Sequence, residues 1–312
     1  KVASFSSSSI EQGIMVVPTA DTVRLTYLMD KLARSSCHVM FVGSAGTGKT
    51  VLVSDYLSSL CVSDDSYRNA AINMNFYTDS FALQQQLEQH IDKRSGKSYG
   101  PAGGAKLVYF IDDLNLPFVE TYGTQTHAAL MRQHIDHEAW FDRSDMGLKK
   151  NIVDCQYVSS MNHKAGSFSV DPRLQRHFVT FTCQMPGEVD LNTIFGTILS
   201  GHMYNWDKKL VPMIQKLTDA TIALHKEIQN KFLPSAVKFH YNFTMRDLSA
   251  VFKGLLNSRS RDYKSTGSLA RLWYHEVTRV YSDRLITETE VLRCRDMVVN
   301  IGKRFMEDDP EK

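Results

Sequence analysis

The chain has 312 residues, of which 43% are apolar and 22% charged, and its 36 basic and 34 acidic side chains give a net charge of +2. This composition excludes intrinsic disorder and predicts a folded protein of about two domains. The near-neutral charge gives no electrostatic reason to expect nucleic acid as a partner, and no apolar run approaches the roughly 18 residues of a membrane helix.

The first half of the chain alternates short apolar runs with helix-like segments, which is typical of a parallel sheet wrapped by helices. Strands are predicted at 39–42, 70–76, 107–111, 155–161 and 177–183. Helices are predicted at 49–60, 80–93 and 125–137. The stretch 95–105 holds four glycines and a proline, which predicts an exposed loop.

After Met185-Pro-Gly187 the pattern changes to helical periodicity alone, at 211–232, 245–256, 269–284 and 288–305. We therefore predict an α/β domain over residues 1–185, with a five-stranded parallel sheet and flanking helices, and a smaller all-α domain over 186–312.

A phosphate-binding turn is predicted between the first strand and the helix after it. Residues 43–50 fit G-x-x-x-x-G-K-[ST] in this setting. The glycines let successive N–H groups point at an anion, and a helix N-terminus favours the same charge. A match at all four specified positions of this eight-residue motif, between a strand and a helix, argues against a chance glycine-rich turn. The predicted nucleotide-binding residues here are Gly43, Ser44, Ala45, Gly46, Thr47, Gly48, Lys49, Thr50 and Val51.

Two acids, Asp112 and Asp113, end the apolar run 107–111. In P-loop ATPases an acid at this place holds the Mg²⁺ that also binds the P-loop hydroxyl, here Thr50, while Lys49 reaches the β- and γ-phosphates. A neighbouring acid can orient or deprotonate the attacking water. We assign Asp112 to the metal and Asp113 to the water. Taken alone, two acids after a strand could form a turn or a helix cap, but their place after a P-loop favours the metal.

The five cysteines indicate the cellular compartment of the protein, and the two ends of the chain indicate that it is part of a longer polypeptide. The number of cysteines is odd and none form a C-x-x-C pair, so we interpret them as reduced thiols of a cytosolic protein, mostly small core residues. Residues 1–9 contain no initiator Met and no apolar signal segment. We interpret them, and the acidic residues 307–312, as cuts within a longer polypeptide.

A helical segment after a P-loop α/β domain resembles the lid of AAA+ ATPases. Within that superfamily, the chain from about residue 16 to residue 305 resembles the third AAA+ module of dynein heavy chains, above all the axonemal, outer-arm type. The first module carries a similar P-loop, so the Asp-Asp-Leu-Asn-Leu-Pro stretch at 112–117 is what places the resemblance. The matching motifs are 17–24, 110–117, 122–124, 132–137, 140–143, 171–178, 232–234 and 239–248.

The resemblance implies further residues of the nucleotide site. Val17, Pro18 and Thr19 match the segment that packs on adenine. Asn162 matches the sensor that hydrogen-bonds the γ-phosphate or the attacking water, although His163 follows it where relatives commonly have proline. Most ring ATPases carry glutamate at the second acidic place. Asp113 is one methylene shorter, which predicts slow hydrolysis.

The resemblance also implies residues that report on the phosphate or act on a neighbour. Arg246 matches the lid arginine that reports on the γ-phosphate, and Arg173 and Arg176 match the arginine-finger segment that points towards the nucleotide of the neighbouring module. Taken alone, Arg246 could also be a solvated helix residue or a partner of Asp247. Arg173 and Arg176 could also be surface charges at a helix end. Likewise, Asn162 by itself fits a simple turn residue.

Two other features suggest chemistry less strongly. His134 and His137 lie one helical turn apart, but without H-E-x-x-H spacing or another ligand pair we interpret them as surface or interface residues. Trp140 and Trp273 are interpreted as packing residues.

Our main hypothesis is an ATPase module of a dynein motor ring that binds ATP or ADP with Mg²⁺ and gates a neighbouring site. The alternative is a structural module that holds ADP with negligible turnover. An AAA+ remodeller acting on nucleic acid is disfavoured by the charge and the dynein-like motifs. The resemblance implies neighbouring AAA+ modules of the same chain as partners, other dynein subunits only indirectly, no membrane, and a place in the cytoplasm, cytoskeleton and ciliary axoneme. Sustained heptads are missing, so we expect no direct microtubule contact from this chain.

Overall fold

The computed structural model describes residues 16–164, 166 and 169–306. They form two compact units. The α/β unit spans Ala20–Met185, and the helical unit comprises the residues from Pro186 onward together with the described residues before Ala20. The interpretation of the two chain ends falls on residues outside the described ones.

The α/β unit contains five helices and nine strands among its described residues. The helices are α1 (Ala20–Arg34), α2 (Lys49–Ser63), α3 (Ser80–Glu88), α4 (Thr126–His137) and α5 (Pro172–Gln175). The strands are β1 (His38–Val42), β2 (Tyr67–Asn73), β3 (Asp92–Ser95), β4 (Ser98–Gly100), β5 (Lys106–Asp112), β6 (Ala139–Phe141), β7 (Lys149–Ile152), β8 (Cys155–Met161) and β9 (Phe178–Thr182).

The main sheet has five parallel strands in the order β2-β5-β8-β1-β9, which confirms the predicted fold class. Alternate side chains of β5 enter two separate apolar clusters. Tyr109 packs with residues of α3 and α4, and Phe110 packs with residues of α1 and α2. Both faces are therefore covered, which explains why the central strands are apolar throughout.

A second sheet, in the order β3-β4-β7-β6, was not predicted. The predicted helix 80–93 and the predicted loop 95–105 are both wrong in part, because α3 ends at Glu88 and β3 and β4 form an antiparallel hairpin. All four residues of β3 are exposed and polar. A strand without a buried face carries no alternating apolar pattern, so the hydrophobic signal is missing there.

The helical unit confirms the predicted all-helical pattern after residue 185. Its helices are α6 (Glu188–His202), α7 (Val211–Lys231), α8 (Met245–Leu256), α9 (Thr266–Tyr281) and α10 (Glu288–Met306). Helix α6 was missed, while the other four lie within a few residues of the predicted bounds. One apolar cluster runs through all five helices.

The side chains that suggested other chemistry are mostly core residues. Trp140 and Trp273 are buried, as predicted. His134 is buried too and bonds the hydroxyl of Tyr157 at 2.6 Å, so the surface interpretation of His134 is wrong. All five cysteines are free thiols, but only Cys183 and Cys294 are buried. Among the described helices, none combines the length and apolarity needed to cross a membrane.

Candidate nucleotide-binding site

The turn between β1 and α2 needs its glycines. A Cβ atom on Gly43 would lie 2.4 Å from the carbonyl oxygen of Cys183, so only glycine fits between the turn and the end of β9. Gly46 and Gly48 both have φ of 84°, in the left-handed region that glycine adopts without strain. Ser44 and Thr47 are half-buried, Ala45 is exposed, and Val51 is exposed on the first turn of α2.

The ammonium group of Lys49 lies inside this turn. Its Nζ donates to the carbonyl oxygens of Gly43 and Ser44 at 2.9 Å each, and the residue is buried. No side chain caps the N-terminus of α2, where Gly48 stands. An anion suits this end of the helix, because the helix dipole is positive there. A buried cation beside a helix N-terminus fits a phosphate group.

Thr50 and Asp112, 62 residues apart in the chain, meet at the carboxyl end of the sheet. The Thr50 hydroxyl donates to Oδ2 of Asp112 at 2.8 Å. A hydroxyl beside a carboxylate is the kind of oxygen pair that Mg²⁺ takes in nucleotide sites, with phosphate and water oxygens completing its shell. The donor set therefore fits the predicted metal.

Asp113 follows at a sharp bend. Its φ is 55°, and its N–H donates to Oδ1 of Asp112 at 3.1 Å. The Ser160 hydroxyl donates to the same Oδ1. A non-glycine residue in the left-handed region is uncommon, and such positions concentrate at functional sites. Asp113 itself is exposed, so its carboxylate is accessible to water beside the proposed metal ligands.

Asn162 lies just after β8, on the same edge of the sheet. Asn115 holds it on both sides of its backbone: the Asn115 side chain donates to the Asn162 carbonyl at 2.9 Å and accepts its N–H at 3.4 Å. The side-chain oxygen of Asn162 accepts the N–H of Lys164 at 3.1 Å. Asn115, which follows β5, thus fixes the turn that follows the neighbouring strand β8.

The predicted adenine segment and the predicted lid arginine both belong to the helical unit. Val17 and Thr19 are buried there and Pro18 is exposed. Arg246 is exposed in the first turn of α8. The alternative that it pairs with Asp247 is wrong, because Asp247 binds Arg284 and caps the helix through the N–H of Thr244.

The predicted arginine-finger residues lie at the ends of the main-sheet strands that are opposite to the predicted metal ligands. The parallel register pairs His38 with Phe178, so Arg173 and Arg176, which precede β9, lie at the amino ends of the strands. Arg173 is exposed, and Arg176 binds Asp136 on α4 at 3.2 Å.

The loop before the arginines is also held by α4. The Gln125 side chain donates to the carbonyl of Ser169 at 3.1 Å and accepts the N–H of Asp171 at 2.9 Å. Asp171 in turn caps α5 by accepting the N–H of Arg173 at 2.9 Å. Contacts with Gln125, just before α4, and with Asp136, on α4, thus fix the two ends of the arginine segment.

Three positioning side chains were not singled out from the sequence: Ser160, Asn115 and Gln125. Ser160 carried a usable signal, because a polar residue at the carboxyl end of an otherwise apolar strand lies where parallel sheets bind ligands. The contacts of Asn115 and Gln125 could not be read from the sequence, because their partners are more than 40 residues away.

The chain matches known protein families and proteins over most of its length. Residues 6–186 match the family described as the P-loop containing dynein motor region, and residues 217–311 match the AAA+ lid domain. Dynein axonemal heavy chain 17 of Homo sapiens is 45% identical over 295 residues, 94% of this chain and 6% of the relative. The flagellar outer-arm dynein beta chain of Chlamydomonas reinhardtii is 42% identical over 94% of this chain and 6% of the relative. The ciliary dynein beta chain of Heliocidaris crassispina is 46% identical over 96% and 7%.

Proposed function

The chain belongs to the P-loop containing dynein motor region family, and from that premise we propose that it is a regulatory AAA+ module of a dynein motor ring. It spans only 6–7% of the length of the relatives named above, so the activity of the whole motor is part of this proposal. The module binds ATP, hydrolyses it slowly, and contributes to microtubule-based movement in the ciliary axoneme, a cytoskeletal structure of the cytoplasm.

One observation carries the proposal: Thr50 and Asp112 face each other at 2.8 Å beside a turn that already encloses Lys49. In this reading the N-terminus of α2 and the Lys49 ammonium bind the phosphates, and Thr50 and Asp112 hold Mg²⁺. When bound, the metal neutralises charge on the phosphate oxygens. Asp113 orients or deprotonates the attacking water.

The site is proposed to work together with its neighbours in the ring. Asn162 and Arg246 respond to the γ-phosphate, and Arg173 and Arg176 serve the nucleotide of an adjacent module. An arginine supplied from a neighbour is worth roughly 10³–10⁵ in rate. The isolated chain is therefore expected to bind nucleotide but to hydrolyse it poorly. ATP and ADP can gate a neighbour only through their different affinities for two arrangements of the ring.

Two substitutions separate this function from a structural role with permanently held ADP. Lys49→Ala removes nucleotide binding and Asp113→Asn removes hydrolysis, both introduced into the complete heavy chain. Slowed microtubule gliding in both variants supports the regulatory ATPase. Slowed gliding with Lys49→Ala alone indicates a static clamp, for which tightly bound ADP in the purified protein would be the corresponding sign.

The length of Asp113 offers a second test. Because its carboxylate stops one methylene short of a glutamate, Asp113→Glu is expected to raise ATP turnover in the assembled ring. The measurement is phosphate release at saturating ATP. An unchanged rate would show that the carboxylate reach does not limit hydrolysis.

A further inference from the structure

Ser160 stands at the centre of the proposed metal site without being one of its predicted ligands. It lies on β8, which the sheet order places between β5, the strand of Asp112, and β1, the strand that leads into the P-loop. The side chain is fully buried. From this position its hydroxyl reaches the carboxylate on the neighbouring strand.

The hydroxyl of Ser160 makes two contacts with the acidic pair. It donates to Oδ1 of Asp112 and accepts the N–H of Asp113 at 3.5 Å. The N–H of Asp113 is shared with the same Oδ1. Both donors therefore hold one oxygen of Asp112, and the other oxygen, Oδ2, faces Thr50. The carboxylate cannot rotate without breaking the hydrogen bonds at both of its oxygens.

The neighbouring Ser159 shows that burial alone does not require such a contact. It is as completely buried as Ser160, yet its hydroxyl has no hydrogen-bond partner among the described residues. Strand β8 thus tolerates an unpaired hydroxyl one position away. The partner of Ser160 is a charged carboxylate at the proposed metal position, and hydrogen bonds to charged groups are stronger than those between neutral ones.

We propose that Ser160 is a positioning residue for the metal. It holds Asp112 in the orientation in which Oδ2 and the Thr50 hydroxyl bind Mg²⁺ together, and it couples this orientation to the bend at Asp113. The proposal rests on the proposed function, since it assumes that Mg²⁺-nucleotide binds here. Groups that orient metal ligands typically change metal affinity by 10–100-fold when they are removed.

The test compares nucleotide affinity with and without the metal. The fluorescent nucleotide N-methylanthraniloyl-ADP is titrated into the 312-residue chain, once with Mg²⁺ and once with EDTA. Ser160→Ala is expected to reduce the Mg²⁺-dependent part of the affinity by about 10-fold and to leave the affinity in EDTA unchanged. Ser159→Ala is the matched control and is expected to behave as the wild type.

A conservative variant guards against misfolding. Ser160→Thr keeps the hydroxyl and is expected to retain most of the Mg²⁺ dependence. An equal loss of affinity with and without Mg²⁺ in Ser160→Ala would indicate a purely structural role and overturn the proposal, as would an unchanged Mg²⁺ dependence. A wild-type chain that binds no nucleotide in either condition would overturn the proposed function itself, which distinguishes the two failures.

Discussion

The α/β unit contains more strongly buried histidines than the helical unit does. In the helical unit one apolar cluster joins all five helices, and within it the rings of Phe195 and Phe252 stack with centroids 4.2 Å apart. The α/β unit has apolar clusters too. Polar side chains join elements distant in sequence in both units. In the α/β unit Tyr157 on β8 bonds His134 on α4, and in the helical unit His225 on α7 bonds Tyr281 on α9.

The difference determines how strongly the stability of each unit depends on pH. Apolar packing does not change with protonation, whereas a hydrogen bond to a neutral histidine does. Burial lowers the pKa of three histidines in the α/β unit, His38, His127 and His134, to about 4. Repulsion from His177 adds to the effect at His38, and repulsion from His38 adds to it at His134. In the helical unit burial lowers the pKa of His225 to about 4 and that of His202 by less.

The largest effect that tests this comparison is acid destabilisation. The histidines titrate near 6.5 when unfolded and near 4 when folded, so between these values the unfolded chain binds protons that the folded chain does not. Their contribution is complete above pH 6.5 and is lost as the pH falls towards 4. At roughly 3 kcal/mol per histidine at pH 4, the α/β unit should lose two to three times as much stability as the helical unit.

Single-tryptophan variants can separate the two units. Trp206→Phe with Trp273→Phe leaves Trp140 to report on the α/β unit, and Trp140→Phe with Trp206→Phe leaves Trp273 to report on the helical unit. Urea unfolding is followed by emission maximum at pH 7, 5.5 and 4.5. Intensity is avoided because the His134 ring lies 5.0 Å from Trp140 and would quench it when protonated. Equal losses in both units would refute the comparison.

The next effect tests the apolar side of the comparison. Trp273 is 1% exposed in the helical core, and its indole N–H donates to the Thr221 hydroxyl at 2.8 Å. Trp273→Ala is expected to lower the free energy of unfolding by about 4 kcal/mol, because it leaves a large cavity and removes the hydrogen bond that the Thr221 hydroxyl accepts, although that hydroxyl still donates to the carbonyl of Leu217. Tyr274→Ala, at the next and exposed position of α9, is the control and should cost much less.

The same variant sharpens the contrast with the α/β unit. Because packing does not titrate, the loss caused by Trp273→Ala should be the same at pH 7 and pH 5.5, as read by far-ultraviolet circular dichroism during urea unfolding. A loss that grows as the pH falls would mean that the packing around Trp273 itself depends on protonation.

The two units also differ in how far their sequences predict them. Four of five helices followed from apolar periodicity, since each presents one buried face to a single core. Helix α6 carries the same periodicity, but Gly196 and Gly201 weaken the helical signal within it. In the α/β unit the five strands of the main sheet were predicted, while the second sheet was not, because its strands are only three or four residues long and β3 has no buried residue.

Within the candidate site, local motifs predicted the P-loop and the acidic pair, because each consists of residues that are adjacent in the sequence. The contacts that orient them were not predictable in this way. Ser160 reaches Asp112 only because β8 lies next to β5, and strand order in a sheet is set by the whole unit and by no single segment. For the same reason the histidine at 134 was misplaced on the surface, although Trp140 and Tyr157 enclose it.

The smallest effect tests whether the polar contacts of the second sheet contribute to stability. Lys150 on β7 is largely buried and binds Glu88 at 3.0 Å and Asp142 at 2.8 Å. Lys150→Met keeps the length of the side chain but leaves two carboxylates without their shared cation. We expect a loss of about 1 kcal/mol at pH 7, the order of a partly exposed ion pair.

The adjacent Lys149 is exposed on the same strand, so Lys149→Met is a matched control that removes the same charge without the same contacts. The bonds of Asp142 to Lys150 and Ser144 lower the pKa of Asp142. A group with a lowered pKa stabilises the fold above its unfolded value, here 3.8, and this contribution disappears in stronger acid. The cost of Lys150→Met should therefore shrink below about pH 4, where protonation removes the repulsion between the two carboxylates. If Lys149→Met costs as much as Lys150→Met, or if the cost of Lys150→Met does not change with pH, the ion pairs of Lys150 do not stabilise the second sheet.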